Sequence, residues 1–176
     1  MHASPTATAS PASPPARSVS DLDALLHLDH RALCDLYEHA TLPSVAAIHG
    51  DLRGRMLAVP GLPQTLTGLP RAWVCTLIFP WRGKSFQPLG ADRGEGRNRV
   101  VSDGMHLFRF ETRVGSSRHD GKPVVELDYD LRENPGFVRR VEDEIREIAP
   151  GLYLGQAWFR LRGKKHLILW FALGQR

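Results

Sequence analysis

Four stretches in the second half of the chain place apolar residues at every second position, and turn-forming residues separate them. In residues 106–114, His106, Phe108, Phe110, Thr112 and Val114 share one side, and Leu107, Arg109, Glu111 and Arg113 share the other. In residues 123–131, Val125, Leu127, Tyr129 and Leu131 oppose Glu126, Asp128 and Asp130. Residues 152–161 and 166–173 make a final pair across Gly163, with both faces of the last segment largely apolar. A period of two is the signature of a pleated strand. Asp120-Gly121 is a strong hairpin signal between the first two segments. Strands joined by hairpins build an antiparallel sheet, which must cover its edges or close on itself. The expectation is a mainly β (α+β) domain: a strongly curved antiparallel sheet or a small β-barrel.

Two helices are expected beside it. Asn134-Pro135 resembles an N-cap followed by a first-turn proline, and Phe137, Val141, Ile145 and Ile148 recur at steps of four or three. That spacing predicts an amphipathic helix over about 135–149, ended by Pro150-Gly151. An N-terminal helix is expected from Leu22, Leu25, Leu26, Leu33, Leu36 and Tyr37, with Ser20 as a cap and a break near Asp29. Residues 48–59 read as a first strand flanked by glycines, and residues 90–99 as a solvated Gly- and Arg-rich loop. The run RAWVCTLIF at 71–79 fits a short buried helix or strand equally well. Residues 1–18, built from Ala, Ser, Thr and Pro, have little to bury and read as a disordered tail, leaving 19–176 as one domain.

The chain has 176 residues, a net charge of +4 and two cysteines. Its positive charges are dispersed, apart from Arg162-Gly163-Lys164-Lys165 in an expected hairpin turn, which argues against a nucleic-acid partner. Cys34 and Cys75 sit in apolar contexts and read as reduced, buried thiols. No Cys/His spacing suits a metal, no cofactor fingerprint occurs, and no run is long enough to span a membrane. A cytoplasmic protein without metal or cofactor is the expectation, with room for a homodimer.

Several short marks occur in a suggestive order: Gly50-Asp51-Leu52-Arg53-Gly54, Trp81-Arg82-Gly83-Lys84-Ser85-Phe86, Asp128-Tyr129-Asp130, Phe137-Val138-Arg139-Arg140, Leu154-Gly155 and Leu169-Trp170-Phe171-Ala172-Leu173. Together they resemble a lipocalin-like (calycin-type) family of bacterial proteins that carries a Gly-x-Trp-x-Gly domain. Leu52 stands where that family has its Trp. The resemblance spans roughly residues 48–173 and implies a lipocalin-like barrel with an apolar interior.

Such an interior suits a hydrophobic small molecule, held among Phe108, Phe110, Leu127, Tyr129, Phe159 and Leu161, with Trp81, Lys84, His106 and Tyr153 as further ligand contacts. Lys84, near the expected mouth, would meet an anionic or carbonyl oxygen; Arg93, Arg97 and Arg99 could do so from their loop. His106 leads an apolar strand face, where an imidazole could ligate haem iron or shuttle a proton, although a satisfied strand-end histidine is the plainer account. The alternative to a carrier is a cofactor-independent cyclase or isomerase of a polyketide or terpenoid intermediate. Asp128, Glu126 and Tyr129 are then the proton-transfer candidates. Glu126, Asp128 and Asp130 lie about 7 Å apart on one strand face. Facing a cavity they would do acid/base chemistry; facing outward they would pair with Arg109, Arg113 or Arg160.

Overall fold

A computed structural model describes residues 21–60, 65–66, 69–70, 80–100 and 104–175. Eight antiparallel strands close into a barrel: β1 (Gly50–Ala58), β4 (Trp81–Pro88), β5 (Arg93–Val100), β6 (His106–Ser116), β7 (Pro123–Asp128), β8 (Val141–Ala149), β9 (Leu152–Leu161) and β10 (Lys164–Gly174). A minimal pair, β2 (Thr65–Leu66) and β3 (Leu69–Pro70), stands apart from it. Around the barrel the order is β1-β10-β9-β8-β7-β6-β5-β4, and β1 also pairs with β4, so the sheet has no free edge. This is the size and architecture of a small lipocalin-like barrel. The expected tail at 1–18, the run RAWVCTLIF and Cys75 lie outside the described residues. No helix among those described is long and apolar enough to cross a membrane.

Residues 135–149 are not a helix. A 3₁₀ turn at Val138–Arg140 leads into β8, which pairs with β7 on one side and β9 on the other. The reason lies in an arithmetic coincidence. Val141 and Ile145 are four apart, which suits one face of a helix and equally one face of a strand. Between them Asp143 also faces the interior, while Glu142, Glu144 and Arg146 face outward. Asn134 does not cap a helix either; its Nδ2 donates to the carbonyls of Arg109 (2.7 Å) and Tyr129 (2.9 Å), pinning the turn after β7. The Gly- and Arg-rich stretch is likewise ordered, as β5.

Two apolar clusters lie on opposite sides of the barrel wall. Inside, Leu52, Phe86, Phe110, Val125, Leu127, Ile145, Tyr153 and Phe171 pack together, with Val45 and Ile48 contributed by the segment before β1. Outside, Leu25, Leu33 and Tyr37 cover Trp170, Leu154 and Ala172. Their stripe divides at Asp29 into a 3₁₀ turn (Ala24–His27) and α1 (His30–His39). Asp29 caps α1, its Oδ1 accepting from the Ala32 N–H at 2.8 Å, and the expected cap Ser20 lies outside the described residues. Close approaches fix the wall. Gly155 faces Phe171, and a Cβ there would come 2.3 Å from the ring. Gly83 has φ +135°, and a Cβ on it would lie 2.0 Å from the Leu52 carbonyl, so only glycine fits where β4 meets β1.

Arg146 fastens α1 to the barrel. Its guanidinium is 1% exposed and donates to the Tyr37 carbonyl (2.9 Å), the Asp120 carboxylate (2.8 Å) and the carbonyls of Lys122 and Pro123. Hydrogen bonding to Arg146, then the Lys122 N–H and the nearby positive charge, holds the Asp120 carboxyl at about 2, below its usual range, against a smaller opposing effect of burial. A depressed carboxyl stabilises the fold above its unfolded pKa and ceases to do so as pH falls through its folded one. The side chain is 15% exposed, so the effect is not strongly screened. Roughly 2 kcal/mol of stability should therefore disappear between about pH 4 and pH 2. In urea unfolding followed across that range, Asp120→Asn should be less stable than the wild type at neutral pH and should lack that component of the acid dependence. Parallel pH profiles for the two proteins would exclude this role.

Candidate functional site

The barrel interior holds a cavity of about 250 Å³. Its walls are apolar, from Met56, Phe108, Val141, Ala157, Leu169 and Phe171, and Phe137 and Ile168 stand partly exposed beside them. At one place the lining turns polar, where Lys84, Asn98, Tyr129 and Asp143 converge from four different segments of the chain.

These four groups form a connected network. Lys84 Nζ donates to Asp143 Oδ2 (2.8 Å), to Asn98 Oδ1 (2.8 Å) and to the Tyr129 hydroxyl. The Tyr129 hydroxyl donates to Asp143 Oδ2 at 2.9 Å and accepts from Asn98 Nδ2 at 3.1 Å. Trp81 Nε1 donates to Asn98 Oδ1 at 3.0 Å. Lys84 is 3% exposed, and its ammonium lies 5.2–5.4 Å from the ring centres of Trp81, Phe110, Tyr129 and Phe171. Burial lowers the Lys84 pKa, with the Asp143 charge working in the opposite direction. Burial, then the Asp143 charge, raises the Tyr129 phenol well above its ordinary value. Tyr129 is thus a neutral donor. Asp143 Oδ1 is buried with no hydrogen-bond partner.

Of the residues singled out in the sequence, Trp81, Lys84, Phe108 and Tyr129 line this cavity. Lys84 does so from deep inside rather than at the mouth: it shares the inward face of β4 with Phe86, and the bulge between Trp81 and Gly83 lets Trp81 face inward as well. Phe110, Leu127 and Tyr153 belong to the packed interior cluster and do not line the cavity; Phe159 is half-buried and Leu161 exposed, also away from it. His106 is on the outer face, 3.2 Å from Ser85 Oγ through Nδ1. The alternation that placed it inside is interrupted at Phe108, which has φ +55° beside a register shift between Arg97 and Asn98.

The carboxylates of β7 also face outward. Glu126 pairs with Arg113 at 2.9 Å, Asp128 with Arg113 at 2.9 Å, and Asp130 with Arg139 at 2.8 Å. Asp128 and Glu126 therefore do not reach the cavity, and the acid/base role expected of them there is corrected. Arg99 is buried against the outer face with Asp51 at 3.4 Å, not free in a loop. Sequence reasoning missed Asp143 and Asn98. A signal for Asp143 existed: read at period two, it is the lone acid among the apolar residues of its face, Val141 and Ile145. Asn98 carried none: it shares the inward face of β5 with Gly96, in a Gly- and Arg-rich stretch whose composition reads as a loop. Among the described residues, no group of three His, Cys, Asp or Glu side chains is placed to hold a metal.

No protein-family model and no curated protein matches the chain. Among solved structures, the crystal structure of a protein from Thermomonospora curvata is similar in fold, with a TM-score of 0.54 and 15% identity. The match covers 88% of this chain and 92% of that one. At that identity the likeness speaks to the barrel alone.

Removing one partner of a buried ion pair leaves the other uncompensated, at a cost of about 3–5 kcal/mol. Lys84→Met should lower the unfolding free energy by about that much. Adding Asp143→Leu to it should restore more than half of the loss, because the orphaned charge is gone. Urea denaturation of the two single variants and the double completes the cycle. Strictly additive losses would mean that the two groups are not coupled.

Proposed function

We propose that this protein binds a hydrophobic small molecule inside the barrel, with the ligand's polar end seated against the Lys84–Tyr129–Asp143–Asn98 network. The observation that carries the reading is the combination of apolar walls around about 250 Å³ with one convergent polar patch. That is the usual make-up of a small-molecule site, in which apolar surface supplies affinity and a few fixed polar groups set orientation. Kinship with the lipocalin-like Gly-x-Trp-x-Gly proteins belongs to the same proposal. The size of the cavity favours a compact ligand or one that protrudes past Phe137 and Ile168.

A second reading is favoured by the network itself. An ammonium, a phenol and a carboxylate in mutual contact inside an apolar chamber are suited to moving protons on a bound substrate. A cofactor-independent cyclase or isomerase would use Tyr129, Lys84 and Asp143, in place of the surface acids Asp128 and Glu126. Folding of the substrate against Phe108 and Phe171 would supply orientation.

Ala157 lines the cavity and is small. Ala157→Trp should fill the chamber and reduce uptake of a neutral fluorescent probe such as N-phenylnaphthylamine at least about tenfold, with the far-UV circular dichroism unchanged. Native mass spectrometry of the wild type from its own host should show a retained hydrophobic mass that the variant lacks. Equal probe binding by the two folded proteins would place the site elsewhere and remove the reading.

A further inference from the structure

The hydrogen-bond capacity of the buried network restricts the polar group its ligand can carry. An ammonium has three N–H bonds, and those of Lys84 are committed to Asn98, Tyr129 and Asp143. The phenolic proton of Tyr129 is committed to Asp143, and the indole proton of Trp81 to Asn98. Asn98 Oδ1 already accepts twice. Asn98 Nδ2 has a second N–H beyond the one given to Tyr129, and the atom left without any partner is an acceptor, Asp143 Oδ1, buried on a residue that lines the cavity. A buried carboxylate oxygen without a donor is unfavourable, and native structures rarely leave one so.

We propose that the ligand presents a neutral hydroxyl, an alcohol or phenol on an otherwise apolar skeleton, which donates to Asp143 Oδ1. The inference rests on the small-molecule reading above and narrows it. Asp143 lines the cavity, and a carboxylate turns about a broad, soft torsion, so a small rotation can present Oδ1 to a ligand atom. A carboxylic acid fits poorly. Ionised, it would bring a second anion beside Asp143 while the ammonium that could receive it is fully engaged. An alkylammonium would donate well, but it would add an unbalanced charge beside the already paired Lys84 inside apolar walls. An alkane would fill the walls and leave Oδ1 as it was. A neutral hydroxyl satisfies the open acceptor and leaves the charge balance unchanged.

The test is displacement of N-phenylnaphthylamine from the wild type, at neutral pH, by four compounds of one chain length: a primary alcohol, its carboxylic acid, its amine and the parent alkane. The alcohol should have a Kd at least about tenfold below those of the other three, the size of effect expected from satisfying one buried acceptor. An acid or amine that binds as tightly as the alcohol overturns the inference and leaves the small-molecule reading standing. So does an alkane of equal affinity. Failure of the probe to enter the wild type sinks both. In Asp143→Asn, the amide oxygen stays with Lys84 and Tyr129 and its NH₂ group faces the cavity, so the alcohol should lose most of its advantage over the acid. An unchanged preference in the folded variant shows that Asp143 is not the acceptor; should that variant not fold, the wild-type series decides alone.

Discussion

Closure of the sheet is the constraint on which everything else in this molecule depends. β1 pairs with both β10 and β4, so every barrel strand has two partners and no row of backbone donors and acceptors is left over. Closure also creates an inside. Once strands curl around an axis, one side of each becomes an interior wall, and its side chains must fill the space or leave a chamber. Here they do both. Phe86, Phe110 and Leu127 pack, while the small side chain of Ala157 leaves room beside Phe171.

Two buried cations show how differently a charge can be housed. Arg146 lies between the outer wall and α1, with a carboxylate and three backbone carbonyls to satisfy its planar donors. It ties elements together. Lys84 lies inside, ringed by four aromatic faces and held by a carboxylate, a phenol and an amide. It sits at the lining of a chamber, and its partner Asp143 has an oxygen to spare. A buried ion pair is not by itself a source of stability, since desolvation offsets much of the attraction.

The strands around 106–114, 123–131 and 152–173 were legible because hydrophobic alternation is a local property. Each needs only its own residues to declare a period of two. The segment at 135–149 was not, since Val141 and Ile145 fit a helix and a strand alike, and Asn134-Pro135 imitates a helix start. The need of β7 and β9 for a partner between them decided it, and that need is not written in the segment. Trp81, Lys84, Phe108 and Tyr129 could be picked out as aromatic or charged residues in apolar company. Asp143 was legible only once its segment was read at period two rather than as a helix, and Asn98 was hidden in a stretch whose composition reads as a loop.

By itself, then, the sequence determined that the chain forms antiparallel strands, that these must curve or close, and that their apolar faces outnumber what a flat, solvated sheet could hide. Local periodicity suffices for that, because side-chain direction alternates along any strand whatever it pairs with. Only the tertiary structure decided which faces point inward and which acid meets the cavity. A bulge moves every residue beyond it to the other face. Irregularities at Trp81/Gly83 and at Phe108, opposite Arg97/Asn98, let Trp81 face the interior beside Lys84 and send His106 out. The same rule of register leaves Glu126 and Asp128 among surface arginines and sets Asp143, from a segment that resembles a helix, against the one buried lysine of the barrel interior.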